Sequence, residues 1–492
     1  MNVAADIEGH DAGAPAIVSR GRTTTYGTLR DQVACLRGAL VARGVRPGDR
    51  VALVAANDWY FVAGYLAVLG VGAIAVPLNP QSPSPEIERE LRATGASLAL
   101  VGPQGVRATA GLEGADLPGY RGAVPVADLL DGEPVPIVER GPDDLAVLLF
   151  TSGTAGAPRP AMLTHGNLAA NVDQILANPA RPDGADEVVL GVLPLFHVFG
   201  LNAVLGVCLR VGGTIVLVER FDPHGSLEAV AEHGVTVMSG VPTMWSAWAG
   251  LPDASPDLVR TVRYAVSGAA PLDPAVRAAV RDRLGCELTE GYGLTEAAPA
   301  VTTGLGHDAP DGSIGVPLPG VLVRLVDTDG EDALVGDPGE IWVKGPNVFV
   351  GYWGDELATA AALTSDGWLR TGDTAVVDDD GFLSLVDRTK DVVIVSGFNV
   401  FPAEVEEVLA QHPAVDAAAV VGVPHPHSGE AVRAYVVVRE GQHVDGDDLI
   451  DFASRYLARY KCPSSVTFVD ELPLGMTGKV LRRELRSSGD PR

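Results

Sequence analysis

Apolar residues recur along this chain in two alternating rhythms. Leu29, Val33, Leu36 and Leu40 fall on one helical face of the stretch 25–44, which Gly44 ends. Short apolar runs at 50–56, 72–78 and 97–102 read as strands, with helical patterns between them. Such alternation predicts mostly parallel sheets covered on both faces. Residues 102–143, rich in Gly, Pro and Asp, predict an irregular connection. Strand-loop-helix units resume at 188–206, 214–220, 235–244, 262–272 and 286–296, with polar or glycine-rich loops where the strands end. In open α/β sheets those carboxyl ends collect ligands. From Gly320 the segments 322–330, 339–353 and 368–388 read as hairpin-rich β structure. Beyond Asp391 the chain returns to a compact α/β pattern, sized for a small second domain.

One stretch breaks the rhythm in a way that suggests chemistry. At 148–168, LLFTSGTAGAPRPAMLTHGNL, a buried apolar run opens into a loop rich in hydroxyls and glycine. Thr151, Ser152, Gly153, Thr154 and Gly156 supply hydroxyls and a backbone able to adopt φ > 0, so that successive N–H groups converge on one anion. Arg159 adds a fixed positive charge, and His165-Gly166-Asn167 leads into a helix whose N-terminal dipole favours a phosphate. It is not a Walker loop, because no Gly-Lys-Ser/Thr ends it. Taken alone, the same residues also describe a plain surface loop.

Composition narrows the field. With 492 residues, 47% apolar and 20% charged, the chain is long enough for two or more domains with large cores. A formal charge of −27 argues against nucleic acid or an anionic membrane as a partner, and requires any anionic cofactor to be met by local positive charge. Cys35, Cys208, Cys286 and Cys462 show no metal-ligand or CxxC spacing and are expected to be reduced thiols of a cytoplasmic protein. The first residues show no basic region followed by an apolar core, so no signal peptide is expected. The charge-free run 59–78 is long enough to span a bilayer, but Gly70-Val71-Gly72 divides it into a helix and a short strand, and a buried α/β unit is expected instead. Of 36 basic residues only Lys344, Lys390, Lys461 and Lys479 are lysines, which marks these four for attention.

Six motifs then occur in order: TSGTAGAPRP with THGNL, PLFHVFG at 194–200, GYGLTE at 291–296, GWLRTGD at 367–373, DRTKDVVIVSGFNVFPAEVE at 387–406, and PLGMTGKVLRREL at 473–485. In sequence and spacing they resemble the adenylate-forming superfamily of acyl-CoA synthetases, carrier-protein adenylation domains and luciferases. The resemblance spans nearly the whole chain. It implies an α/β fold with a large N-terminal domain of parallel α/β sheets plus a β-rich subdomain, over 1–389, and a small mobile α+β C-terminal domain, over 390–492. It implies two half-reactions: carboxylate plus ATP gives acyl-AMP and pyrophosphate, and a thiol then takes the acyl group as a thioester.

The resemblance also implies roles for single residues. Thr151, Ser152, Gly153, Thr154, Ala155 and Gly156 would hold the β- and γ-phosphates, with Arg159 beside them. Within GYGLTE, Gly291, Tyr292, Gly293, Leu294 and Thr295 would form one side of the nucleotide site, Tyr292 stacking on adenine and Gly293 permitting close approach. Gly268 and Ala269 would form the other wall. Glu296 would hold Mg²⁺ with one carboxylate, as suits a cation that also binds phosphates, although a helix-capping glutamate is the plainer alternative. Asp373 would accept hydrogen bonds from both ribose hydroxyls, and Arg388 would contact ribose or phosphate. Lys390 would be the hinge pivot, and Lys479 would be carried to the carboxylate and α-phosphate. Ser396, Gly397 and Phe398, with Asn399, would line a pantetheine tunnel for CoA after the small domain turns. His197 would stand beside the reacting carboxylate, or be an ordinary core histidine. Lys461 would meet a CoA phosphate, or be a solvated surface lysine.

Departures from the family pattern matter as well. The family loop usually reads TTGxPKG, whereas here Ala155 removes a hydroxyl, Arg159 replaces lysine and Pro160 replaces glycine together with its N–H. Arg and Lys are not interchangeable at every phosphate site. The region around PLFHVFG carries no aspartate to bind an ammonium, and no acid follows until Glu219. An uncharged acid, fatty or aryl, is therefore expected, with Leu201, Val204, Leu205, Met244 and Trp245 as nearby apolar residues. The acceptor is expected to be CoA, with an acyl carrier protein or a different acceptor as alternatives, and a homodimer is possible.

Overall fold

The computed structural model describes residues 1–112, 115–151, 159–181, 186–388, 392–473 and 482–487; the side chains of residues 387, 388, 399, 483, 484 and 487 are not described. The expected strand-helix alternation builds the first sheet, in the order Ala123–Pro125, Leu98–Val101, Arg50–Val54, Ile74–Leu78, Leu145–Thr151, Arg159–Thr164. Every pairing is parallel except the last. The crossover helix Trp59–Gly70 begins where the Asp58 carboxylate accepts from the Phe61 N–H at 3.2 Å, and it is buried from Phe61 onward. This is the segment whose length alone suggested a bilayer span. Among the described residues, no helix is long and apolar enough to cross a membrane. The helix Tyr26–Ala42 packs against it, with Leu29, Val33, Leu36 and Leu40 all buried. Residues 102–143 are less irregular than expected, since Ala123–Pro125 pairs with an edge strand of this sheet.

The second sheet has a parallel centre built from Thr214–Leu217, Val188–Gly191, Val237–Gly240, Tyr264–Ser267 and Leu288–Gly293. The hairpin-rich β region expected from Gly320 onward is present, and it joins this sheet. Ala300–Thr303 pairs antiparallel with Leu288–Gly293, and Ser313–Pro317, Leu383–Arg388, Leu369–Val377, Gly339–Lys344 and Leu322–Val326 extend the same sheet outward. The reason is an edge: the last parallel strand exposes N–H and C=O groups that the next chain segment satisfies.

A smaller five-stranded sheet forms from Val393–Val395, Phe398–Val400, Val415–His425, Gly429–Val438 and Ser465–Phe468. It has its own core, including Val405, Leu409, Val420, Val432 and Leu449, supplied partly by the helices Pro402–Ala410 and Gly446–Ser454. All four cysteines are free.

A buried ionic knot fixes this unit against the first sheet. Lys461 is neither a surface lysine nor open to a CoA phosphate in this arrangement, because it is 7% exposed. Its ammonium donates to Glu86 Oε1 on the helix Ser84–Thr94 and, at 3.0 Å, to Glu404 Oε1 on Pro402–Ala410. The Ala458 N–H donates to the other Glu86 oxygen at 2.8 Å, and Arg89 reaches Glu404 at 3.1 Å. Burial by itself would lower the Lys461 pKa, but Tyr460, Glu404, Glu86 and Glu90 together raise it well above the ordinary lysine value. The lysine is therefore charged, and removing it strands two buried carboxylates. Replacing Lys461 with Ala is expected to weaken this docking by about 3–5 kcal/mol. Amide exchange over 458–461 should then speed up, and unchanged exchange would show that the knot does not hold the two units together.

Candidate active site

Carboxyl ends of strands from both large sheets converge on one cavity of about 480 Å³, and the small unit roofs it. Thr151 arrives at the end of Leu145–Thr151, Gly268 and Ala269 follow Tyr264–Ser267, and the run from Gly291 to Glu296 ends Leu288–Gly293; all line the cavity. So do Tyr292, Gly293, Leu294 and Thr295. Ser396, Gly397 and Phe398 enter from the turn between Val393–Val395 and Phe398–Val400.

Glu296 sits in a buried turn with its carboxylate held rigid. Oε1 accepts from the Tyr352 hydroxyl at 2.7 Å and from the Thr151 hydroxyl at 3.3 Å. Tyr352 was not singled out in the sequence. It arrives because 350–353 pairs with Arg159–Thr164: Met162 N–H donates to Gly351 O at 2.9 Å, and Trp353 N–H to Pro160 O at 2.8 Å. Pro160 thus lacks a donor but its carbonyl is used. Burial, reinforced by the Glu296 charge, raises the Tyr352 hydroxyl pKa, so it stays protonated and donates. Among the described residues, no cluster of three potential protein ligands for a metal exists. A single fixed carboxylate, Glu296, fits a cation that takes most of its other ligands from phosphate and water.

Arg159, expected beside the phosphates, has protein partners of its own. Its Nε lies 2.8 Å from Asp355 Oδ2 and its guanidinium 5.9 Å from the Tyr352 ring centre, so its charge is partly matched at the base of the hairpin. Among the described residues it lies outside the cavity wall.

At the other side of the cavity, Asp373 Oδ2 accepts from the Tyr292 hydroxyl at 2.7 Å. The Asp373 N–H donates to Thr371 Oγ1 at 3.1 Å, which fixes the carboxylate at an irregularity in its strand. Arg388 is the register partner of Asp373 on the neighbouring strand, though its side chain lies outside the described residues. Gly293 lines the cavity, and a Cβ there would meet the Pro299 carbonyl at 2.3 Å. Gly268 faces the Phe199 ring, which an added Cβ would approach to 3.1 Å.

His197 stands where roof and wall meet. Its ring centre is 5.3 Å from that of Phe398, which in turn stacks on Tyr460 at 4.5 Å. Nε2 is buried without a hydrogen-bond partner among the described residues. Burial, with a smaller contribution from Lys461, pulls the imidazole pKa down to about 4, so the ring is neutral near pH 7. Gly397 has φ +84°, and a Cβ there would fall 2.5 Å from Val241 Cγ1.

Val204 and Met244 line the cavity, whereas Leu201, Leu205 and Trp245 are core residues, with the Trp245 indole bonded to Val266 O at 3.2 Å. Glu219 is engaged elsewhere by Arg20 and Gln104. Glu290, also on the wall, is neutralised by Arg277. Ser152, Gly153, Thr154, Ala155, Gly156, Lys390 and Lys479 lie outside the described residues.

An α/β chain that gathers a fixed carboxylate, a second carboxylate beside a tyrosine and a roof from a small second unit around one cavity has the architecture of the adenylate-forming enzymes. Residues 4–353 match the family AMP-binding enzyme, and residues 404–479 match the AMP-binding enzyme C-terminal domain. The chain belongs to this family, and it is an AMP-forming acid–thiol ligase. It is 42% identical to a feruloyl-CoA synthase of Amycolatopsis sp over 475 residues, 96% of this chain and 95% of that one. It is 36% identical to the long-chain-fatty-acid–CoA ligase of Yersinia pestis over 96% of this chain and 92% of that one. Among solved structures, the amide bond synthetase McbA of Marinactinospora thermotolerans superposes with a TM-score of 0.87 at 34% identity, covering 99% of each chain. The o-succinylbenzoate CoA synthetase of Bacillus subtilis, bound to a product analogue, gives 0.88 at 29% identity over 99% of this chain and 98% of that one.

Because His197 is held neutral, its ring resonances are expected to stay fixed between about pH 5.5 and 8, where an ordinary histidine titrates. A midpoint in the usual range near about 6.5 would contradict the burial described.

Proposed function

We propose that the chain activates an aryl or fatty acid lacking an α-ammonium and transfers it to CoA within this single cavity. The observation that carries the reading is the meeting of Phe398 with His197 in the cavity whose wall also holds Gly397, Glu296 and Asp373. One enclosure then touches groups suited to both half-reactions.

In the first step a carboxylate oxygen attacks the α-phosphorus of ATP, and the bond to the pyrophosphate oxygen breaks. Negative charge grows on phosphorus and on the leaving group, so donors already aimed there lower the barrier. The residues 151–156 would cradle the β- and γ-phosphates, and Arg159 would lend charge from behind the loop. Asp373 would take the ribose hydroxyls in exchange for, or alongside, its bond from Tyr292. Tyr292, Gly268 and Ala269 would border the base, and Arg388 the ribose or phosphate. Mg²⁺, when bound, would neutralise pyrophosphate charge; Glu296, oriented by Tyr352 and Thr151, would hold it. Lys479 would approach the carboxylate and α-phosphate. In the second step the CoA thiolate attacks the acyl carbon and the bond to AMP breaks. His197 is neutral and can border the carboxylate without forming an ion pair that resists transfer. Rotation about Lys390 would alternate the two arrangements, with the domain boundary at 389/390.

A second reading is an adenylase whose acceptor is an amine, and the likeness to an amide bond synthetase supports it. Acid-dependent pyrophosphate release, followed by product analysis with CoA, a holo carrier protein or a simple amine, separates the readings. Thioester with free CoA is expected. Amide as the main product would favour the second reading, and no acid-dependent release would refute both. Lys479→Ala should slow acid-dependent pyrophosphate release by about 10²–10³ while slowing transfer from preformed acyl-AMP far less.

A further inference from the structure

The contact between the small unit and the first sheet carries more negative charge than its cations match. Glu86 and Glu90 lie one turn apart on the same face of the helix Ser84–Thr94. Glu404 comes from Pro402–Ala410 on the small unit. All three line the cavity together with Tyr460 and Lys461. Lys461 answers Glu86 and Glu404, and Arg89 answers Glu404 from a side chain that is 45% exposed. Glu90 has no ion-pair partner among the described residues, and its Oε2 is shut off from solvent without a hydrogen bond. Glu404 Oε2 is in the same state, in a residue only 3% exposed. Two unmet carboxylate oxygens, one from each unit, thus belong to one contact.

A buried carboxylate without a partner lowers its cost by taking a proton, and carboxylates that share a site do not all stay ionised. One proton on Glu90 or Glu404 removes the excess charge and turns an acceptor-only group into a donor. The titration of the two acids runs in the same direction. Burial first, and then Glu86, pushes Glu90 up to about 8, and burial raises Glu404 against the pull of Lys461. The other groups at the contact keep their charge state across neutral pH. Lys461 stays charged, Tyr460 stays protonated, burial pushes the Cys462 thiol up to about 11, and His197 is held neutral. On the outer faces Glu88 pairs with Arg92 and Glu406 with Arg482, while Glu407 and Arg459 are exposed.

We infer that docking of the small unit takes up one proton from water into the cluster of Glu86, Glu90 and Glu404, so that the arrangement with Phe398 beside His197 is favoured as pH falls. Its link to thioester formation rests on the two-step reading proposed above. In an undocked arrangement Glu90 would face water, where a glutamate titrates near about 4.3. The raised value on docking sets the sign: docking carries no penalty below about pH 4.3, weakens by up to about tenfold per pH unit above it, and levels off beyond about pH 8. Higher pH then frees the small unit for the arrangement that would deliver Lys479. Lower pH retains the roof turn over the cavity for transfer to CoA.

The test measures amide exchange over 458–461, corrected for its intrinsic pH dependence, between pH 6 and 8 in the full chain and in Glu90→Gln, with no acid or CoA present. Wild-type protection is expected to fall by at least about tenfold across that range. In Glu90→Gln, which carries the neutral form permanently, protection should stay constant. In parallel, the single-turnover rate of transfer from preformed acyl-AMP to CoA is taken as the ratio of variant to wild type, so that ionisation of the thiol cancels. That ratio should rise severalfold from pH 6 to 8. Wild-type protection that does not change with pH would overturn the inference, whether or not the variant folds. So would a pH dependence that Glu90→Gln retains. A flat transfer ratio beside pH-dependent protection would overturn the link to thioester formation. Absence of thioester with every acid at every pH would overturn the ligase reading, while the exchange result still decides whether docking carries the proton.

Discussion

The arrangement depends on one lysine held between two carboxylates that belong to different units. Lys461 joins Glu86 to Glu404, and the Ala458 amide takes the remaining Glu86 oxygen. Buried ion pairs add little net stability, because desolvation offsets the attraction, but they tolerate few geometries. That restriction is what the cavity needs. Tyr460, next to Lys461, stacks on Phe398, and Phe398 meets His197. The position of the roof over the cavity is thus transmitted through two rings from this small cluster of charged contacts.

Inside the cavity the same economy governs the charged groups. Glu296 is pinned by a tyrosine and a threonine, Asp373 by a tyrosine and its own strand, and Glu290 by an arginine. His197 is neutral because water is kept from it. Each of these acids is therefore already oriented on the cavity wall, and donors and acceptors fixed in advance need little reorganisation when charge develops beside them.

What was legible in the sequence was whatever depends on neighbours along the chain. Helical and strand periodicity exposed the α/β alternation, and the family-like motifs marked Glu296, Asp373, His197 and the Ser396–Phe398 turn, all of which the fold brings to one cavity. What escaped was set by partners remote in sequence. Lys461 meets Glu86 across 375 positions, and no local pattern tells a buried lysine from a solvated one. Tyr352 reaches Glu296 only because an irregular segment pairs with the strand Arg159–Thr164. The Pro299 carbonyl that leaves no space for a side chain at Gly293 was likewise not legible from the motif. The hairpins after Gly320 were legible because they are local, while the sheet edge they extend was not.

The central claim is that one cavity serves both half-reactions and that the roof turn acts in the second. The most direct test is Gly397→Leu, since a side chain there meets Val241 and the backbone has φ +84°. In a variant with an unchanged melting temperature, acid-dependent pyrophosphate release should persist while transfer from acyl-AMP to CoA falls by at least about 10², the scale of loss that an ångström-level misplacement brings. Normal thioester formation, or equal loss in both steps, would contradict the account.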